Sequence, residues 1–167
     1  MAQDCKAKNI YRIAREDCGL SREKASEQMG IPPERIYRIE TEEYKPYPDE
    51  ILEMAECYKE PELCNYYCSE QCAIGQQYVP RVKIKDLSQI VLEILASMDR
   101  LQGKTSRLID ISYDGKIDKE ELKDFVHIQK ELERISITVE TLQLWGEQMI
   151  ATGKIDMEQY NVLMGNK

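Results

Sequence analysis

Three sets of residues in this chain have side chains able to do chemistry. Cys57, Cys64, Cys68 and Cys72 form the first. On a helix over residues 62–72 the last three stack on one face, where soft thiolates can hold zinc with Cys57 as a fourth ligand. Buried thiols also pack as small hydrophobes, and that plainer use is favoured over metal or redox pairing. The second set is Asp110, Ser112, Asp114, the Lys116 carbonyl, Asp118 and Glu121, which fall at the oxygen-ligand positions of a calcium-binding loop, with Gly115 at its sharp turn. A tight connection between antiparallel helices asks for the same letters. Gly115 supplies a positive-φ turn, and Asp118 with Glu121 forms a capping box, so the turn is the favoured reading and no cofactor is expected. The third set is Ser21, Arg22, Glu34, Arg35, Tyr37 and Arg38. Guanidinium and hydroxyl donors with one carboxylate acceptor suit phosphate oxygens and base edges better than bond-making.

The elements that position this third set are legible from punctuation and spacing. Ser21 is a plausible N-cap, Ala25 and Met29 share one face, and Gly30 stands where a left-handed C′ residue ends a helix. Pro32 and Pro33 suit the first turn of the next helix, in which Ile36 and Ile39 face inward and leave Arg35, Tyr37 and Arg38 outside. An earlier helix over 9–18 directs Ile10, Ile13 and Ala14 inward. A later one, capped by Asp49, carries Ile51, Leu52, Met54 and Ala55.

Two short helices across a tight turn, with Ala14-Arg15, Gly19-Leu20-Ser21, Ala25, Met29-Gly30-Ile31 and Ile36-Tyr37-Arg38-Ile39-Glu40 in register, resemble the helix-turn-helix of the Cro and phage-repressor (XRE) family. The resemblance covers about residues 8–60. It implies a lambda-repressor-like domain of five helices, double-stranded DNA as partner, and a helix from Pro33 to Glu40 that enters the major groove. The chain departs from the family pattern at Arg22, where Gln is usual, and at Pro-Pro-Glu, where small hydroxyl residues usually open the recognition helix. Base preference is therefore not implied.

Beyond this segment, residues 76–85 read as an extended linker whose Arg81, Lys83 and Lys85 could touch phosphates. Two heptad seams follow: Ile84, Leu87, Val91, Ile94, Met98, Leu101, Thr105 and Leu108, then Phe125, Ile128, Leu132, Ile135, Val139, Leu142, Gly146 and Met149. They predict a long antiparallel helical hairpin, closed at one end by a helix over 156–164 bearing Tyr160 and Leu163. Ile90, Leu95, Val126, Ile137, Leu144 and Trp145 widen the apolar stripe beyond what one hairpin covers, so a homodimer through residues 86–150 is expected, the alternative being a hairpin folded back on its own N-terminal domain. The organisation is 1–75 helix-turn-helix domain with a Cys-containing extension, 76–85 linker, and 86–167 dimerisation hairpin, all-α throughout.

Composition bounds the function. A net charge of −8 over 167 residues excludes a generally basic nucleic-acid coat, and no apolar run is long enough to span a membrane. Six cysteines without a leader favour the cytoplasm over a secreted scaffold. No phosphate-cradling Gly loop or nucleophile elbow occurs, and the single histidine, His127, sits among polar neighbours, so no enzyme is expected. The expected function is a sequence-specific DNA-binding transcriptional regulator. Its alternatives are a protein-interaction module on the same scaffold or a metal-responsive helical protein. Residues 9–58 hold 7 Lys/Arg against 12 Asp/Glu, a net −5, so binding would rest on a few cations rather than bulk charge.

Overall fold

The structure, a computed structural model, describes residues 9–113 and 115–165. It divides into two compact units, one comprising the chain up to Arg81 together with the stretch from Gly146 onward, the other Val82–Trp145. Every regular element among the described residues is helical.

In the first unit α1 (Ile10–Asp17), α2 (Arg22–Met29), α3 (Pro33–Glu40) and α4 (Pro48–Cys57) follow one another closely. Caps explain the boundaries. The Asn9 side chain accepts from the Arg12 amide and donates to the Ile39 carbonyl at 2.8 Å, tying the start of α1 to α3. Ser21 accepts from the Lys24 amide, and Gly30, at φ +71°, ends α2 in the left-handed conformation. The Glu50 carboxylate, rather than Asp49, reaches back to the Tyr47 amide at 2.7 Å and caps α4. Ile36, Ile39, Ile51, Met54 and Leu63 are fully buried with Tyr11, whose hydroxyl donates to Gln71. Ile13, expected inside α1, is 43% exposed, because Tyr11 and Ala14 take the inward positions.

α5 (Glu62–Tyr66) passes into a π-helical turn, Tyr67–Gln71, and Cys72 is extended. A π turn has more residues per turn than an α-helix, so the four-residue stacking expected of Cys64, Cys68 and Cys72 is lost. α6 (Gly75–Tyr78) occupies part of the expected linker. Arg81 bonds Asn65 and Glu62, and Lys85 bonds Glu93, so these two linker cations face acids. At the chain's other end, Asp156 accepts from the Gln159 amide and caps α10 (Met157–Met164) as expected, but Leu163 is 87% exposed and closes nothing.

The second unit holds α7 (Leu87–Gln102), α8 (Thr105–Ser112) and most of α9 (Leu122–Ala151). The first arm, expected as one helix, is broken at Gly103-Lys104, where glycine lowers helix propensity and Lys104 leaves the helical region at φ −114°. The arms still pair antiparallel: Arg100 meets Glu131 at 2.9 Å and Arg107, seven residues on, meets Asp124, seven residues back, at 2.7 Å. The expected seams are rotated by one row. Ile94, Leu101, Leu108, Ile128, Ile135 and Leu142 are turned in, but their company is Ile90, Ser97 and Ile111 on the first arm and Thr138 on α9. Val91, Met98, Leu132 and Val139 are exposed. The rotation brings Arg100 and Arg107 to the edge where Glu131 and Asp124 stand. The Ser97 and Thr138 hydroxyls that enter the seam are satisfied, Ser97 by the Arg100 guanidinium and Thr138 by the Arg134 carbonyl at 2.7 Å.

Candidate nucleic-acid interface

α3 buries Ile36 and Ile39 and turns Tyr37 and Arg38 outward. Beneath it lies the most buried ion pair of the region: the Arg15 guanidinium grips Glu40 through two nitrogens, with side chains 7% and 1% exposed, and donates to the Leu20 carbonyl at 2.6 Å. Arg22 bonds the same Glu40 at 2.8 Å and lays its guanidinium 5.1 Å from the Tyr37 ring. Three helices thus meet at one carboxylate, which fixes the angle between α2 and α3. The side chains beside this cluster respond to it: burial pushes the Tyr58 hydroxyl up, reinforced by the Glu40 charge.

Arg35, expected to face outward, is turned toward the start of α4. It makes a two-pronged bond to Glu50, both arms at 2.7 Å, donates to the Lys45 carbonyl, and has the Tyr47 and Tyr44 rings at 5.0 and 5.8 Å. Arg38 bonds Glu34 one turn earlier at 3.0 Å and stacks 5.5 Å from Tyr44. A cleft of about 240 Å³ opens between Pro32, Glu34, Arg35, Arg38 and Tyr44. Ser21 is spent on capping α2. The predicted set is therefore brought to one side of the domain, but in two grades. Tyr37, Arg38 and Glu34 are accessible, whereas Arg22 and Arg35 are built into the scaffold by carboxylates. Tyr44, Tyr47 and Glu50 belong to the same patch and were not picked out from sequence, although Glu50 two residues after Pro48 is the pattern of a reach-back cap.

The other candidate sites take less definite form. Among the described residues no group of three or more His, Cys, Asp or Glu side chains is arranged to hold a metal ion. Cys57 bonds Gln28, and burial pushes the Cys57 and Cys64 thiols up, away from the thiolate. In the acidic loop Asp114 lies outside the described residues, and Asp110 and Ser112 sit on α8. The Asp118 carboxylate accepts the Glu120 and Glu121 amides while Glu121 reaches back to the Asp118 amide, and Gly115 has φ +70°. Those two carboxylates are engaged as helix caps.

No helix of the described residues is long and apolar enough to cross a membrane. No curated protein and no solved structure matches the chain. Residues 12–62, from the middle of α1 to the start of α5, do match the helix-turn-helix family model. With the cap residues, the left-handed Gly30 and the outward α3 in the places that fold requires, this N-terminal region is a helix-turn-helix of the Cro and phage-repressor (XRE) type.

Proposed function

We propose that the protein is a sequence-specific, non-enzymatic DNA-binding transcriptional regulator, dimeric through residues 86–150 and working without a metal. The observation that carries this reading is the family match over residues 12–62 combined with an α3 whose outward face offers Tyr37, Arg38 and Glu34. α3 would lie in the major groove, with the start of α2 against the backbone.

The arginines divide by what it costs to free them. The Arg38–Glu34 pair is an exposed pair one turn apart, worth roughly 0.3–0.5 kcal/mol, so exchanging Glu34 for a phosphate or a guanine edge is cheap. Arg35 is held by two short bonds at partly buried positions and stays with Glu50 as a positioning residue. Glu34, released, is free to accept from a cytosine amino group. Selection of random duplexes by the purified protein should enrich a sequence. Arg38→Ala and Tyr37→Ala should abolish enrichment, whereas Arg35→Ala should weaken it together with thermal stability. No enrichment at low salt sinks the DNA reading.

A second reading, an interaction module that keeps the scaffold and has lost DNA, is supported by charge. Arg12, Arg15, Arg22, Arg35 and Arg38 are all ion-paired, and only Lys24 and Lys45 of residues 9–58 are in no such pair. Under that reading duplex affinity shows no steep dependence on salt, because no phosphates are neutralised.

A further inference from the structure

The two expected seams are in fact two different surfaces. The row that starts at Ser88 and steps by three and four residues to Ser112, and the matching row from Leu122 to Gln143, contain no charged side chain and no histidine, in a chain of which 32% is charged. Every residue of both rows except Phe125 is exposed, including Leu95 at 58%, Met98 at 57%, Leu122 at 52% and Leu132 at 45%. Both rows lie on the same flank. The opposite flank is a groove of about 460 Å³ lined by Glu93, Arg100 and Arg134 together with Ala96 and Ile137, and the uncharged rows are turned away from those residues on each helix.

From this arrangement we infer that the uncharged flank of α7–α9 is a homodimer interface, covered by the same flank of a second copy. This deepens the dimer reading above by naming the face. Three arguments select a second copy over other occupants. The first is area. Rows of about 22 residues, the first interrupted at Gly103-Lys104, at roughly 1.5 Å per residue on helices each about 10 Å wide give a face on the order of 600 Å² at most. That sits at the upper end of what monomers leave exposed and approaches the ~800 Å² per partner of a stable pair. The second is charge. Two chains of net −8 repel wherever they present their average surface, and this flank is the stretch where they can meet without burying an ion. A nucleic acid or a charged peptide finds no counter-charge there. The third is symmetry. Both arms carry apolar side chains at the same heptad spacing, so a copy rotated by a half turn lays row upon row and completes a four-helix bundle.

Light scattering on the full chain at micromolar concentration tests this. The wild type should have twice the 19.5 kDa chain mass, and Leu95→Glu with Leu132→Glu should have 19.5 kDa with unchanged helical circular dichroism. Ala96→Glu, on the groove flank, should remain a dimer. A dimer that survives Leu95→Glu/Leu132→Glu overturns the face and leaves the dimer reading standing. A monomeric wild type overturns both, and neither result bears on DNA selection. Should the double variant lose helix, single Leu95→Lys replaces it, with self-association at least tenfold weaker by sedimentation equilibrium expected and an unchanged constant counting against the face.

Discussion

In the helix-turn-helix region five short helices close around one cluster of twelve buried apolar residues, from Tyr11 to Leu63. In Val82–Trp145 the buried apolar side chains among the described residues are Val82, Ile90, Ile111, Ile128 and Leu144, and Ser97 and Thr138 stand between the arms. The difference is not one of hydrophobic supply, since the hairpin leaves Val91, Leu95, Met98, Leu132 and Val139 outside. It is one of closure. Helices of about ten residues crossing at several angles surround a core, whereas two parallel rods touch along a line and each keeps an uncovered side. The first region closes around its own core, and the second keeps the uncovered flank on which the proposed dimer rests.

The sharpest way to break this contrast is through the charges, which play opposite parts in the two regions. Glu40→Ala leaves the buried Arg15 guanidinium without its partner, and the helix-turn-helix should lose about 3–5 kcal/mol in urea titrations. Arg107→Ala removes an exposed, solvent-screened pair at the edge of the hairpin and should cost far less. Equal losses would show that the N-terminal cluster is not closed around Glu40.

Core truncation comes next. Ile36→Ala and Ile90→Ala each delete a side chain with no exposed surface and should each cost about 2–5 kcal/mol. Hydrogen exchange followed by mass spectrometry tells them apart. The first variant should expose peptides of α1–α4 at any protein concentration. The second should expose α7 and α9, with protection recovering as concentration rises, because a completed bundle is stabilised by mass action. Concentration-independent protection of the hairpin would remove the idea that it needs completing.

What could be read from the letters follows the same divide. The boundaries of α1–α3 were legible because Ser21, Gly19, Gly30 and Pro32-Pro33 are local punctuation, each acting on its own neighbours. The hairpin was legible as two heptad-bearing segments, but not its rotation. The row through Val91 and Met98 is more apolar than the row through Ile90 and Ser97 that the fold turns inward, and a pattern ranks rows by hydrophobicity, not by where a partner stands. The inward row also sets Arg100 and Arg107 beside acids on another helix, which the spacing within one helix does not show. Arg35 was misplaced for the same reason, its partner Glu50 being 15 residues away.

Gly75 tests the Cys-containing extension, whose π turn a four-residue spacing did not reveal. A methyl group there would overlap the Cys68 carbonyl oxygen, which is backbone and cannot swing aside. Gly75→Ala should therefore cost about 1–3 kcal/mol, read as a lowered Tm. At Gly30 the obstacle is its left-handed φ rather than space, and alanine there should cost about 1 kcal/mol. The reverse ranking would mean that the π turn relaxes more easily than the α2 cap.

The smallest effect separates the carboxylates of the two regions by pH. Burial raises the Glu50 carboxyl, but hydrogen bonds from Arg35 and the Tyr47 amide outweigh it and hold the group below the usual glutamate range. Folded Glu50 therefore binds its proton more weakly than the unfolded chain does. The stabilisation is complete above the unfolded value of about 4.3 and is lost as pH falls through the lower folded value. Wild type minus Glu50→Gln should be positive at neutral pH and shrink as pH falls below the unfolded value of about 4.3, and a pH-independent difference would rule out the Arg35 bond as its source. Asp124 and Glu131 are also lowered, by hydrogen bonds from Arg107 and Arg100, and the sign is the same. The Asp124 side chain is 45% exposed at the hairpin edge, so added salt should erase its pH dependence while leaving most of that of Glu50, whose side chain is 14% exposed.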